Sequence, residues 1–282
     1  MDPIVATAVL AASLLHASWH ALVKSTGDRV IALAGMNVVS SAIALALLPF
    51  ARPLPILVYG LIFASSLVHL GYKVALARLY DRADLGRAYP LARGFAPLMA
   101  AVLACVALGE FPTLAAAAGI ALICGGLMLL AFESDGHGAS PAILLAAGSA
   151  GIAVAVYSVI DAYGIRLAGD WFSFTVCLIV VDGGMFISYA IATRGASAPR
   201  FWRKNVGRTL ASGLLGTLSF AVFMWALSRA SVGMVAALRE TSVLFAAIIG
   251  AVVLGERATT KRYAAALLVI AGVVIIAFAR ES

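Results

Sequence analysis

Apolar runs of about twenty residues recur along the whole chain, separated by brief polar punctuation. A helix of that length rises about 1.5 Å per residue and crosses roughly 30 Å of hydrocarbon. Lipid offers no partner to backbone polar groups, so such runs read as helices that satisfy their own. Ten spans are predicted, over about 4–23, 30–49, 54–77, 88–108, 113–132, 141–164, 171–192, 209–227, 233–254 and 261–279. "STGD" follows the first, "ARPLP" the second, "YDRAD" the third and "GEFPT" the fourth. "ESDGHGASP" is the longest polar stretch in the middle, and "RGASAPRFWRKNVGR" precedes the eighth span as a loop. The connections leave no room for a soluble domain, so the predicted fold class is all-α, a polytopic membrane protein.

Composition agrees with the pattern. The chain is 63% hydrophobic and 12% charged, with a mean hydropathy of +1.04, against roughly 25% charged residues in a soluble domain. It could not cover a water-facing surface. The net charge of +7 then bears on membrane orientation and lipid headgroups, because no basic run is long enough to suggest nucleic acid. Cys105, Cys124 and Cys177 lie inside apolar runs and read as small buried hydrophobes, not as a disulfide set or metal site. "MDPIVATAVL" lacks a basic n-region and a small-residue cleavage site, so the first run is expected to be a retained helix.

The chain repeats itself at an offset of 146 residues. "LARGFAPLMAAVLACVALGEFPT" (91–113) lies over "ALRETSVLFAAIIGAVVLGERAT" (237–259), with Arg93 on Arg239, Leu-Gly-Glu on Leu-Gly-Glu and Thr113 on Thr259. Gly126 falls on Gly272 and Ala131-Phe132 on Ala277-Phe278, and 14 of 42 aligned positions are identical. The duplication divides the chain into 1–138, spans one to five, and 139–282, spans six to ten. Five is odd, so the second half is expected to enter the membrane inverted. Inverted repeats typify secondary transporters, with the substrate site near the midplane between repeats.

Ten spans arranged as five plus five, with Leu-Gly-Glu closing the fourth and ninth, resemble the EamA branch of the drug/metabolite transporter superfamily over essentially the whole chain. "LLHASWHALVK" (14–24) with "AYPLARGFAP" (88–97) is similar to a bacterial subgroup labelled as phosphonate-utilisation-associated membrane proteins. The resemblance implies a multi-pass protein of the bacterial inner membrane, a basket with a central cavity lined by spans 1, 3, 4, 6, 8 and 9. It fixes no substrate, since the superfamily exports amino acids, sugars, amines and drugs. It also implies cytoplasmic termini. The charge pattern argues the other way: thirteen of the twenty Lys and Arg lie in loops after odd spans, four in the remaining loops and termini and three within spans. By the positive-inside rule both termini would face outward.

Ionisable residues inside spans are costly and mark candidate sites. Arg93 and Arg239 come first, because a guanidinium stays charged and its fork fits carboxylate or phosphonate oxygens. Pro90, Gly94 and Pro97 are expected to interrupt the fourth span beside Tyr89. The alternative for each arginine is structural pairing with an acid or a lipid phosphate; Glu240 follows Arg239 but points about 100° away on a helix. In span one His16, His20 and Lys24 share a face, with Trp19 beside them. Tyr157 and Asp161 share a face of span six, and His69 and Lys73 share one of span three, near Tyr72. Lys73 has a snorkelling alternative. Asp182 and Asn37 read as packing or hydrogen bonding on peripheral spans, and Glu110 and Glu256 as structural groups at the water boundary. Trp171, Trp202 and Trp225 read as an aromatic belt, with Trp225 alternatively facing the cavity.

No Gly-rich phosphate loop, GxSxG or His-Glu-x-x-His occurs, so the chain is expected to be neither an enzyme nor an ATP-driven pump, with no metal or cofactor. The expected function is alternating-access transport of a small polar metabolite, an amino-acid-like zwitterion or organic anion. Arg93 and Arg239 would hold the anionic group, Trp19, Tyr72 and Tyr157 its body, and Asp161 or Glu240 an amine or a proton. Protons are the candidate coupling ion and membrane lipids the surrounding partner. A lipid-linked flippase and an exporter of cationic drugs or amines are the alternatives. The oligomeric state is left open, because the alanine-rich 114–131 span could pack within the protomer or against a second copy.

Overall fold

Soluble proteins turn large apolar side chains inward and charges outward, and here many large apolar side chains face outward while some charges lie inside. Ile56 and Phe278 are 87% and 84% exposed, while Arg93 and Glu240 are 2% and 1% exposed. The computed structural model describes residues 1–24, 28–82, 85–131, 141–246 and 259–279. The regular elements among them are helical: α1 (Pro3–Lys24), α2 (Arg29–Leu47), α3 (Ile56–Arg82), α4 (Leu85–Leu108), α5 (Leu114–Ala131), α6 (Pro141–Ala168), α7 (Trp171–Arg194), α8 (Ser197–Lys204), α9 (Val206–Leu227), α10 (Val232–Arg239) and α11 (Thr260–Phe278). Seven of them contain stretches long and apolar enough to cross a membrane, and Arg93–Leu108 and Leu114–Leu130 are shorter apolar helices.

Polar caps start the helices where the punctuation predicts. Asp28 accepts from the Ile31 amide at the start of α2, and its other oxygen lies 2.7 Å from Arg194 Nε. Asp170 accepts from the Phe172 amide and from the Ser173 hydroxyl at the start of α7. Thr113 accepts from the Ala116 amide ahead of α5 and Thr259 from the Arg262 amide ahead of α11, each at 3.3 Å. The two threonines, 146 residues apart, perform the same local task. Each such cap contributes about 1 kcal/mol.

Three expectations are corrected. α4 is not interrupted: it runs unbroken through Pro90, Gly94 and Pro97. Pro97 lacks the N–H that would bond the Arg93 carbonyl, yet the helix continues. The ninth span is the one that breaks, because α10 stops at Arg239 and helix resumes only at 242. The stretch before span eight contains a two-turn amphipathic helix, α8, not a loop alone. Trp202 of α8 donates to the Ile31 carbonyl at 2.7 Å, with Phe201 packed on the same apolar cluster, while Arg200, Arg203 and Lys204 are exposed. A short helix with that division suits the plane of the headgroups.

The packing is reciprocal. α1 lies on α9 and α6 on α3; α2 meets α9 and α7 meets α3; α2 crosses α7, and α5 crosses α11. The α5–α11 crossing packs one face of the alanine-rich span within the protomer. It is built on small residues that let backbones touch. A Cβ on Gly119 would lie 2.9 Å from the Gly272 carbonyl oxygen, one on Gly272 2.6 Å from that of Gly119, and one on Gly126 2.8 Å from that of Ala265. Backbone cannot yield as a side-chain tip can. Gly272→Ala is therefore expected to lower stability by roughly 1–3 kcal/mol through overpacking, whereas Gly125→Ala, with nothing within 4 Å of its Cβ, leaves it unchanged. Thermal denaturation of the detergent-solubilised protein compares the two, and equal melting points would contradict the backbone contact.

Candidate functional site

Two clusters of ionisable side chains occupy the interior of the bundle. The first is built by α1, α4 and α10. Arg93 Nη1 donates to Glu240 Oε1 at 2.7 Å, and both groups are buried. Arg93 Nη2 lies 2.9 Å from His16 Nε2, which lies 3.1 Å from His20 Nε2. Arginine has only donors, so His16 Nε2 accepts and the neutral ring carries its proton on Nδ1. His20 then faces the same lone pair as a donor. Trp19 stacks on His20 at 3.8 Å and meets His16 edge-on at 4.9 Å, which fixes both rings.

The chain breaks where the acid sits. The Glu240 amide still bonds to the Ala236 and Ala237 carbonyls, but the Thr241 amide turns back to the Leu238 carbonyl and the Val243 amide to that of Glu240. The Thr241 hydroxyl donates to the Leu238 carbonyl at 2.6 Å, and the Ser13 hydroxyl lies 3.1 Å from the same oxygen. Side-chain hydroxyls that bond nearby backbone compete with the helical ladder, and here they satisfy the acceptor the break exposes. Arg239, the last residue of α10, lies 4.2 Å from the Phe223 ring and donates to the Tyr157 hydroxyl over 3.4 Å. Among the described residues no acid is paired with Arg239, whereas Arg93 is paired with Glu240.

The second cluster joins α2, α3, α6 and α7. Asp161 Oδ1 accepts from the Ser65 hydroxyl at 2.5 Å, and its Oδ2 lies 3.5 Å from His69 Nε2. On the other side of that ring His69 Nδ1 is 3.9 Å from Asp182 Oδ1. Lys73 Nζ donates to Asp182 Oδ2 at 2.6 Å and to Asn37 Oδ1 at 3.1 Å. Lys73 therefore does not snorkel, and of the two readings of Asp182 and Asn37 the structure shows hydrogen bonding. The i, i+4 spacing of His69 and Lys73 carried the signal; what was missing was a partner, which lies 109 residues from Lys73. Ser65 and Phe223 carried no signal, because a small hydroxyl and one more aromatic are ordinary in a span.

Tyr157 joins the clusters. Its hydroxyl meets Arg239, and its ring lies 3.9 Å from that of His69 and 6.0 Å from that of Tyr72. His16, Trp19, His20, Arg93, Tyr157, Arg239 and Glu240 thus meet in one cluster, and Asp161 and His69 in the next. The side chain of Tyr89 lies outside the described residues, as do those of Lys24 and Glu256. Trp225 packs with the Arg229 guanidinium 5.5 Å from its ring.

At one end of the bundle Glu110 ties three segments. It pairs with Arg166 of α6, and its Oε2 accepts from the Val232 amide at 2.8 Å, capping α10. Arg166 also donates to the Ala230 carbonyl. A cavity of about 350 Å³ opens here, lined by Glu110, Arg166, Arg229 and Ser231 among others.

Helices long and apolar enough to span a membrane, packed around buried charge, define an integral multi-pass membrane protein. Residues 140–278, the second half, match the model of the EamA-like transporter family, and this half is similar to that family. A solved crystal structure described only as "Crystal structure of protein" superposes with a TM-score of 0.73 over 96% of this chain and 94% of that one, at 16% identity. That likeness shows the fold alone. No curated protein matches the sequence.

Removing one partner of a buried ion pair strands the other charge, at a cost of roughly 3–5 kcal/mol, more than the pair itself contributes. Glu240→Gln is expected to lose stability of that order, and Arg93→Met/Glu240→Met less than the sum of its single substitutions. A double-mutant cycle on melting points measures the difference, and additive losses would show that the two side chains do not interact.

Proposed function

We propose that this chain is a secondary transporter of a small polar metabolite, working by alternating access in the bacterial inner membrane. The observation that carries the reading is the break in α10 at Glu240. Discontinuous helices beside buried charge are where such proteins hold substrate, because irregular backbone at membrane depth survives only in contact with protein or a cavity. The substrate class follows from charge. Glu240 neutralises Arg93, so the cation left over is Arg239, set at the tip of α10 between Tyr157 and Phe223. An organic anion or an amino-acid-like zwitterion fits it, with its acid on the guanidinium and its body against the two aromatic rings.

We read the ten spans as two inverted five-helix repeats that rock against each other. Support comes from the reciprocal packing of α1 on α9 and α6 on α3, and from the crossing of α5 and α11. Gly119 on Gly272 and Gly126 on Ala265 exchange places under the 146-residue offset, as a two-fold relation between halves requires.

A thermal-shift screen of the purified protein against carboxylates, phosphonates, amino acids and lipophilic cations tests the reading. A ligand present at 100 times its Kd stabilises the folded state by about 2.7 kcal/mol. Acids or zwitterions are expected to raise the melting point of the wild type and not of Arg239→Gln. Stabilisation by lipophilic cations alone would overturn the anion assignment.

A further inference from the structure

The second cluster takes no part in holding an anion at Arg239, and its own bonding is incomplete. Asp161 Oδ2 and Asp182 Oδ1 are buried without a hydrogen-bond partner, and so is His69 Nε2. The two oxygens flank the two ring nitrogens of His69, at 3.5 and 3.9 Å. The other oxygens are occupied, Asp161 Oδ1 by Ser65 and Asp182 Oδ2 by Lys73. With both carboxylates ionised, Lys73 cationic and His69 neutral, the cluster holds one net negative charge. Neutral imidazole donates from one nitrogen and imidazolium from both. A single added proton therefore sets an N–H toward each orphaned oxygen, 3.5 and 3.9 Å away, and removes the net charge.

Of the other groups facing His69, only Lys73 is charged among the described residues, and its ammonium is held by Asp182 Oδ2 and Asn37 Oδ1. Ser65, Tyr72 and Lys73 lie on its own helix, Tyr157 on α6 and Asn37 on α2, while α9 presents the Phe220 ring at 6.1 Å. Arg239 of α10 lies beyond Tyr157.

We propose that His69, held between Asp161 and Asp182, binds one proton that travels with the substrate. The word "travels" rests on the transporter reading; the proton site does not. Charge sets the stoichiometry. Arg93, Arg239 and Glu240 sum to one positive charge, and Asp161, Asp182 and Lys73 to one negative. The empty protein, and the protein holding one monovalent anion and one proton, are each balanced overall. Either ligand alone leaves a net charge in the apolar interior, which disfavours that state as the one that reorients. Anion and proton thus move together, one for one. The proton comes from water on the loading side and returns to water on the other, and only an imidazole N–H forms and breaks. His69 and Lys73 belong to the first half of the chain and Asp161 and Asp182 to the second, so the proton also draws the halves together.

Histidine-selective ¹⁵N NMR of the full chain in detergent, followed against pH, tests the site, with His69 assigned by its loss in His69→Asn. His69 is expected to pass in one step to a form protonated on both ring nitrogens. The pH dependence of its ring signals is expected to change when one flanking carboxylate is removed in Asp161→Asn; Asp182→Asn serves if that variant does not fold. A His69 that stays neutral wherever the protein is folded, or titrates identically in the variants, overturns the proposal. Proteoliposomes enclosing pyranine test the coupling, driven by whichever acid stabilises the protein. Flux of that acid is expected to shift internal pH in the wild type and not in His69→Asn; flux without a pH change overturns the coupling. If no acid stabilises the protein, the Arg239 reading fails while the NMR titration still decides the proton site.

Discussion

Arg93 and Glu240 meet inside an apolar bundle, and much of the surrounding structure follows from that pair. Desolvating two such charges costs several kcal/mol each, and their attraction repays it only when geometry is good and the remaining donors are met. The pair therefore constrains three helices at once. α4 must bring Arg93 inward, α10 must end where Glu240 can turn toward it, and α1 must place His16 against the second guanidinium nitrogen. Burying so much charge for stability alone is inefficient, since apolar side chains of similar volume would serve as well or better. That inefficiency makes the pair informative about function.

The framework that bears this cost is mechanically simple. Small residues let α5 and α11 meet backbone to backbone, and large apolar side chains face outward where lipid solvates them. Between the charged clusters stands Tyr157, buried, with its hydroxyl on Arg239 and its ring on His69. A phenol can bond to a cation and pack against an imidazole without adding charge. A change at either cluster is therefore felt by a side chain that touches the other.

The helical class and most span boundaries were legible because apolar periodicity and length are local properties. The candidate residues were legible too, as polar side chains in places that lipid penalises. Their partners were not. Glu240 was weighed against its neighbour Arg239, yet it pairs with Arg93, 147 residues away. Lys73 was set down as a possible snorkelling end, yet it reaches Asp182 on another helix. The break in span nine was assigned to span four, where the prolines are. Proline removes a single hydrogen bond and α4 tolerates it, while the turn at Glu240 and Thr241 depends on hydroxyls that a proline search does not see.

The same offset that reveals the duplication also shows where it stopped being symmetric. Arg93 and Arg239 correspond, as do Thr113 and Thr259. The position matching Glu240 is Gly94, where an added Cβ would run into Met128. Of the two matching arginines, only Arg93 is paired with an acid among the described residues. The second cluster lies outside the two aligned stretches and draws His69 and Lys73 from the first half of the chain and Asp161 and Asp182 from the second. Two equivalent half-sites would give a cavity with the same charge at both ends. The interior instead holds one cluster around two arginines and another around two aspartates, joined through Tyr157.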